Sequence, residues 1–227
     1  MLPFGIPRWL LCPSWFRSIL ETAAKVVVAM YFDPNGKAPE LAYNPIKAMV
    51  APRPIGWIST VSATGICNLA PYSFFNLIAD APFMVMFATS GHKDSFFNAV
   101  ASGEFVWNLV GEDLADAMNR SAATVEAGVD EFDLAGVTKA ASQTVKAPRV
   151  AEAVAALECK VDQFVPLKSS IEGRHNSMVI ATVSSAFIQD EFVVNGRFDT
   201  AAAKILARLG YADYTVVDRV FPLQRPN

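Results

Sequence analysis

The chain has 227 residues, 52% hydrophobic and 18% charged, a balance that excludes disorder of the whole and fits one large domain or two small ones. Lys and Arg number 19 against 22 Asp and Glu, a formal charge of −3 that argues against the basic surface needed for non-specific nucleic-acid binding. Three cysteines (Cys12, Cys67, Cys159), odd in number and without CxxC spacing, read as reduced thiols of a cytoplasmic protein, and two histidines (His92, His175) are too few for a multi-histidine metal site.

Residues 1–29 differ in character from the rest of the chain. Their apolar stretch is too short and too early for a secretory signal. They read either as an upstream start added to the chain or as a helical extension from about Ser14 to Val28, ahead of a domain over 30–227. Pro54 to Ala79 carries no charge over 26 residues, long enough to span a bilayer. It also carries Ser59, Thr60, Ser62, Thr64, Gly65, Asn68, Pro71, Ser73 and Asn76, which a lipid-facing helix would not tolerate, so it reads as buried strands around a polar cavity. Ile55 to Val61 is rich in strand formers and leads into the turn Ser62-Ala63-Thr64-Gly65, which predicts a hairpin resuming at Ile66.

Phe83 to Thr89 and Glu104 to Val110 are apolar on both faces, which predicts strands covered on both sides. Between them, Asp94 is placed as the N-cap of a short helix through Phe97, Val100 and Ala101, ended by Gly103. Glu112 to Ala122 puts Leu114, Ala117, Met118 and Ala122 on one helical stripe. Pro148 is placed at the start of a further helix through Val150, Val154 and Leu157. Leu157 to Val165 also alternates as a strand, with Cys159, Val161 and Val165 on one face and Glu158, Lys160 and Asp162 on the other. Met178 to Ile188 reads as a long strand, and Asn195-Gly196 as a hairpin turn. Asp199 or Thr200 would cap a last helix through Ala202, Ile205, Leu206 and Leu209, stopped by Gly210. Regular strand–helix alternation is missing. The order fits a mainly β fold with peripheral α-helices, a small Greek-key barrel, better than a doubly wound sheet.

Several chemistries are not signalled: there is no GxGxxG, no GxxxxGK[ST], no GxSxG and no HExxH. What stands out is Arg53-Pro54-Ile55-Gly56-Trp57-Ile58-Ser59-Thr60, then Asn68-Leu69-Ala70-Pro71-Tyr72-Ser73-Phe74-Phe75-Asn76, then Ser90-Gly91-His92-Lys93-Asp94-Ser95. Further on come Gly128-Val129-Asp130-Glu131-Phe132, Ala156-Leu157-Glu158-Cys159 and Ala207-Arg208-Leu209-Gly210-Tyr211-Ala212-Asp213-Tyr214. In this order the motifs resemble the flavin reductase-like family of FMN-binding split-barrel proteins, from about Tyr31 to the end of the chain, with residues 1–29 outside.

The resemblance implies a split β-barrel, a non-covalent FMN near each subunit boundary of a homodimer, and NADH or NADPH as transient hydride donor. A phosphate needs a cation and donors, and Ser90, Lys93 and Ser95 sit at a turn into a helix N-terminus, with Arg53 as a second cation. Ser59 and Thr60, and the bend through Asn68, Leu69, Ala70, Tyr72 and Ser73, would offer backbone and side-chain groups to the flavin ring. Arg208 and Tyr214 would close the site or come from the second chain. Without the resemblance, Ser59, Thr60 and Ser73 are strand-end hydroxyls, Lys93 is a solvated lysine, and Trp57, Phe74, Phe75 and Trp107 are core. Hydride transfer needs no acid–base residue, and no catalytic residue is assigned. The functional expectation is an NAD(P)H-dependent flavin oxidoreductase, with a monooxygenase or other electron-accepting protein as a candidate partner and no nucleic-acid or membrane partner. Two alternatives stay open: a flavoprotein electron carrier reduced by another protein, and a flavin-free split-barrel module for interaction or pyridoxal phosphate.

Overall fold

The structure, a computed structural model, describes residues 31–36, 41–91, 93–126 and 128–226. Residues 1–29, the helix expected from Ser14 to Val28, Cys12 and His92 lie outside them. The chain divides into two compact units, Met1–Asn44 and Pro45–Asn227. The described part of the first holds a turn in which the Gly36 amide donates to the Asp33 carbonyl at 3.1 Å, and Asn44 Nδ2 donates to the Pro34 carbonyl at 2.7 Å.

The second unit opens with the short helix α1 (Ile46–Met49) and strand β1 (Arg53–Pro54). Then come β2 (Gly56–Val61), β3 (Cys67–Tyr72), β4 (Phe75–Asp80) and β5 (Phe83–Ser90), so the expected hairpin and strands form. Helix α2 (Asp94–Ser102) ends at Gly103, whose φ of 72° is the left-handed conformation that favours glycine. Its N-cap is Lys93 and its first residue Asp94, so the helix begins one position earlier than expected. Strand β6 (Glu104–Asn108), a single 3₁₀ turn (Glu112–Leu114), α3 (Ala115–Arg120) and α4 (Glu131–Ala135) follow. The remaining elements are all strands or turns: β7 (Lys139–Ala140), β8 (Arg149–Val150), β9 (Ala155–Leu167), β10 (Asn176–Ile188), β11 (Val193–Val194), β12 (Arg197–Phe198), β13 (Ile205–Arg208) and β14 (Tyr214–Val217).

Seven strands form one antiparallel sheet in the order β3-β2-β6-β9-β10-β5-β4. Its two edges, β3 and β4, are consecutive in the chain and joined only by Ser73 and Phe74. Three Cα steps reach at most ~11 Å, so the sheet must curl until its edges nearly meet. They do not pair, and the result is a barrel split along one seam. Side chains fill the seam: Tyr72 packs on Phe87 with ring centroids 5.0 Å apart. The interior holds Ile58, Phe75, Val85, Phe87, Phe105, Cys159, Val179 and Ala181, with Phe96 of α2. A second core lies outside β2 and β3, where Trp57 and Leu69 pack with Met118 of α3, Phe132 of α4, Val150 and Leu206. Strand β2 is therefore buried on both faces because it serves both cores. A separate three-stranded sheet, β1-β13-β14, pairs Arg53 with Arg208 and Arg208 with Tyr214.

Three expectations are corrected. Pro148 starts no helix. Ser59 Oγ donates to the Pro148 carbonyl and the Val150 amide donates to Asn108 Oδ1 at 2.7 Å, long-range contacts that hold this stretch extended. Asp199 does begin a helical turn, accepting at Oδ1 from the Ala202 amide at 3.0 Å. Lys204 then adopts a φ of 44°, and Ile205–Arg208 becomes a strand between β1 and β14. In β9, Asp162 is an extra residue, because Ile180 pairs with Gln163 and Ala181 with Val161. This bulge moves Val165 to the face opposite Val161.

The second face of β6 is also covered by the chain itself. Val106 packs with Val145, Ala147 and Ala156. Buried Glu104 accepts from Lys160 Nζ at 2.7 Å and from the Lys146 amide, and buried Glu158 accepts from the Gln143 and Thr144 amides. In both glutamates burial pushes the carboxyl pKa up. The hydrogen bonds outweigh it, with the charges of Lys160 and Lys146 added at Glu104, and both carboxyls lie below the ordinary carboxylate range. No described helix is long and apolar enough to cross a membrane.

Candidate functional site

Strand β3 carries the centre of the site. Asn68 is buried, and each end of its amide is used. Its Oδ1 accepts from Ser95 Oγ at 2.6 Å and from Thr60 Oγ1 at 3.3 Å, and its Nδ2 donates to Glu131 Oε1 at 2.8 Å. The other carboxylate oxygen of Glu131 accepts from the Leu69 amide at 3.3 Å. Asp130 caps α4 by accepting from the Phe132 amide at 3.0 Å, which sets Glu131 at the first helical position facing β3. Burial raises the Glu131 pKa, and its hydrogen-bond donors oppose the rise without cancelling it. Thus one buried network ties β2, β3, α2 and α4 together below a cleft.

That cleft has a volume of about 290 Å³. Its walls are Asn68, Ala70, Pro71 and Tyr72 of β3, then Lys93, Asp94 and Ser95 at the start of α2, then Ser121 to Val125, and Glu131. Ser121 is fixed from behind, where its Oγ accepts from Trp57 Nε1 at 2.9 Å and donates to the Met118 carbonyl at 2.8 Å. The buried Tyr72 hydroxyl makes no hydrogen bond, although the hydroxyls of Ser95 and Thr89 are its polar neighbours. Burial pushes its pKa up to about 12, so it stays a neutral donor. The amides of Asp94 and Ser95 precede the first intrahelical bonds of α2, in which the Phe96 and Phe97 amides donate to the Lys93 carbonyl, and the Lys93 side chain lies exposed beside them.

A second cleft of about 220 Å³ shares Pro71 and Ala122 with the first. Lys47, Arg53, Ile55, Ser73, Met118, Arg208, Leu209, Tyr211 and Tyr214 complete its lining. Arg53 is 8% exposed. Its Nη1 donates to the carbonyls of Lys47 and Val50 and its Nη2 to that of Leu209 at 2.6 Å, while its buried Nε has no partner. Burial, with the charge of Arg208 added, lowers its pKa from the ordinary arginine value. Arg208 lies over the Tyr214 ring at 4.3 Å and donates from Nη2 to the Tyr211 carbonyl at 2.5 Å.

The residues picked from sequence therefore sort into four places. Asn68, Ala70, Tyr72, Lys93 and Ser95 line the first cleft, and Arg53, Ser73, Arg208 and Tyr214 the second. Both sets stand on one chain, so Arg208 and Tyr214 line a cleft of their own subunit. Ser59, Thr60 and Leu69 lie behind the walls. Ser59 is fully buried on Pro148, Thr60 reaches the cleft only through Asn68, and the Leu69 side chain is core. Ser90 is exposed at the end of β5 opposite Asn176 and lines neither cleft. Sequence reasoning assigned no role to Glu131, Ser121 or Tyr211. Glu131 stood in a noted motif, Gly128 to Phe132, and the capping aspartate before it was the available signal. Cys67 is half-buried against the outer core, and burial raises its pKa.

Residues 49–201 match the flavin reductase like domain family. An uncharacterized protein of Deinococcus radiodurans is 35% identical over 208 residues, covering 86% of this chain and 89% of that protein. The solved structure of nitrilotriacetate monooxygenase component B from Bacillus cereus superposes with a TM-score of 0.79 at 27% identity, covering 86% of this chain and 98% of that one. A Shewanella frigidimarina protein assigned as a flavin reductase with a split barrel domain gives 0.75 at 19% identity, covering 87% and 100%. With the split seam, the two clefts and a family match over more than half its length, the chain belongs to the flavin reductase like domain family.

Proposed function

We propose that the protein is a flavin-dependent oxidoreductase that binds FMN in the cleft between β3 and the N-terminus of α2 and is reduced by NADH or NADPH. The observation that carries this reading is the cleft's donor set. One cation, Lys93, and the N-terminus of a nine-residue helix stand in one pocket with Asn68 and Tyr72 of β3, beside the carboxylates of Asp94 and Glu131. The cation and the helix N-terminus are groups a phosphorylated, polar-edged cofactor needs. When bound, a flavin supplies the acceptor for a hydride, with its two electrons, from the dihydronicotinamide, which leaves as the oxidised nicotinamide.

The chain's own part is binding and orientation. Lys93 and the α2 amides hold the phosphate end. Asn68, Ala70 and Tyr72 hold the ring side. The Glu131 carboxylate keeps Asn68 from turning, because both ends of its amide are committed. Ser95 Oγ spends its proton on Asn68, so its backbone amide is the donor it offers. Thr60, Ser59 and Leu69 support this wall from behind. The clefts open beside the β3–β4 seam, and a monooxygenase or other electron-accepting protein would take electrons there, as the resemblance to a monooxygenase component invites.

The test is reconstitution. Purified full-length protein is titrated with FMN and then mixed with NADH or NADPH in a stopped-flow instrument, where bleaching of bound flavin is expected. Flavin that binds but is reduced only by a reduced protein would make the chain an electron carrier, and protein that takes up no FMN would remove the flavin reading. Lys93→Ala is expected to weaken FMN about tenfold or more, since a hydrogen bond to a charged group contributes roughly 1.5–3 kcal/mol. An unchanged dissociation constant removes Lys93 from the phosphate site.

A further inference from the structure

We propose that the cleft around Lys47, Arg53 and Arg208 is a second anion site, which takes a phosphate group of the nicotinamide dinucleotide while its nicotinamide lies against a flavin in the adjoining cleft. The placement of the second ligand rests on the flavin reading above. The anion site itself does not.

Charge is the first argument. Three cationic side chains line a space of about 220 Å³, and among the described residues no carboxylate lines it. Among the described residues the ion pairs are Lys139 with Asp130 and Asp133, Lys160 with Glu104, and Lys204 with Glu112. None involves Lys47, Arg53 or Arg208. Two guanidinium groups near enough for one to depress the other repel each other, and such a pair is costly unless something anionic joins it.

Geometry is the second argument. Arg53 is not free to swing to a distant acid, because three backbone carbonyls hold its terminal nitrogens and its Nε is buried without a partner. Arg208 is laid flat by Tyr214, and among the described residues its one hydrogen bond uses Nη2. Its Nε and Nη1 donors are not used by that bond and remain for an anionic ligand. The shared wall, Pro71 and Ala122, puts this edge next to the proposed flavin cleft. A dinucleotide carries its phosphates several bonds from the ring that gives the hydride, so its two ends need two neighbouring pockets of this kind.

The experiment uses the full chain with Arg208→Ala, Arg208→Lys and Lys47→Ala. For each, KM and kcat are measured with NADH and with NADPH on the FMN-loaded protein, FMN affinity is measured separately, and the flavin-free protein is titrated with inorganic pyrophosphate. Arg208→Ala is expected to raise KM about tenfold or more, with a far smaller change in kcat, unchanged FMN affinity and loss of pyrophosphate binding. Arg208→Lys should keep part of the affinity, and added salt should raise KM in the unsubstituted protein more than in Arg208→Ala. Equal loss for NADH and NADPH assigns the pyrophosphate, and loss confined to NADPH assigns its 2′-phosphate. If Arg208→Ala does not fold, Lys47→Ala supplies the same readings. The proposal is overturned if neither KM nor pyrophosphate binding changes, or if FMN affinity falls while KM holds, which would put the flavin's own phosphate in this cleft. Should the protein bind no flavin at all, pyrophosphate binding that Arg208→Ala abolishes still upholds the anion site, and its absence overturns it.

Discussion

At Gly56 an added Cβ would sit 2.8 Å from the Cβ of Phe75 and 2.9 Å from its ring. The ring has no room to retreat, because it stacks on Trp107 with centroids 5.4 Å apart and an interplanar angle of 2°. Trp107 is held in turn by its Nε1 donating to the Ile55 carbonyl at 2.9 Å. Gly56→Ala is therefore expected to cost about 1–3 kcal/mol of stability, the usual range for overpacking a filled core. A thermal midpoint equal to that of the unsubstituted protein would show that the interior yields more easily than this packing implies. At the same scale, Asn68 was legible as a polar residue in an apolar run. Its partner Glu131 was not, because 63 residues separate them and only the fold brings them together.

The segment from Ser142 to Val150 shows how an element without regular structure is held. Glu158 of β9 accepts from two of its backbone amides and from Thr144 Oγ1, and Glu104 of β6 accepts from a third amide. Both carboxyls have depressed pKa values in the folded chain. Their contribution is thus complete above the ordinary carboxylate pKa of about 4.3 and is lost as pH falls through the lower folded values. Hydrogen exchange at residues 143–146 should accelerate as pH drops below about 4, after correction for intrinsic rates. Glu158→Gln should show fast exchange at 143 and 144 already at neutral pH. Equal protection in both proteins would mean that the Val145 and Ala147 contacts alone hold the segment.

Elements with strong local signals were readable: the β2–β3 hairpin, the stop of α2 at Gly103 and the Asn195-Gly196 turn. The misread ones, Pro148 onward and Ile205–Arg208, are short pieces whose alanine-rich pattern fits a helix or a strand. What decided them was pairing with Asn108, β1 and β14, contacts far away in sequence. The Asp162 bulge left no mark in the alternation, so Val165 was assigned to the wrong face.

For the whole molecule, the described residues leave one apolar region on the outer surface of the barrel that a partner would cover. Strand β6 and the start of β9 are covered by the chain itself, which narrows the expected interface to β4, β5 and β10. There Met84, Met86, Met178 and Ile180 are only half-buried, and Leu77, Ile78 and Phe83 are exposed by 46–57%. Soluble monomers seldom carry an apolar patch of this extent, and a two-fold partner would cover it with the same surface. We predict a stable homodimer burying on the order of 2,000 Å². Sedimentation velocity at micromolar concentration should show one dimeric species, and Ile180→Asp should yield monomer. A monomer in the unsubstituted protein that still holds FMN tightly would exclude a shared pocket.

The sheet β1-β13-β14 joins residues made early to residues made late. Arg53 leaves the ribosome long before Leu209, the carbonyl that takes its Nη2, 156 positions further on. Until then β1 has no partner strand, and Leu206 and Ala207 are missing from the surface they complete. The family match ends at residue 201, short of all of these. A fragment cut at its bounds would keep the barrel strands and the first cleft's walls. It would lose Lys47, Arg208, Leu209, Tyr211 and Tyr214 from the second cleft's lining and leave the buried Arg53 guanidinium with two of its three carbonyl acceptors, those of Lys47 and Leu209, gone. Expression plasmids, truncation series and domain swaps designed on the family bounds alone would remove that cleft from the protein.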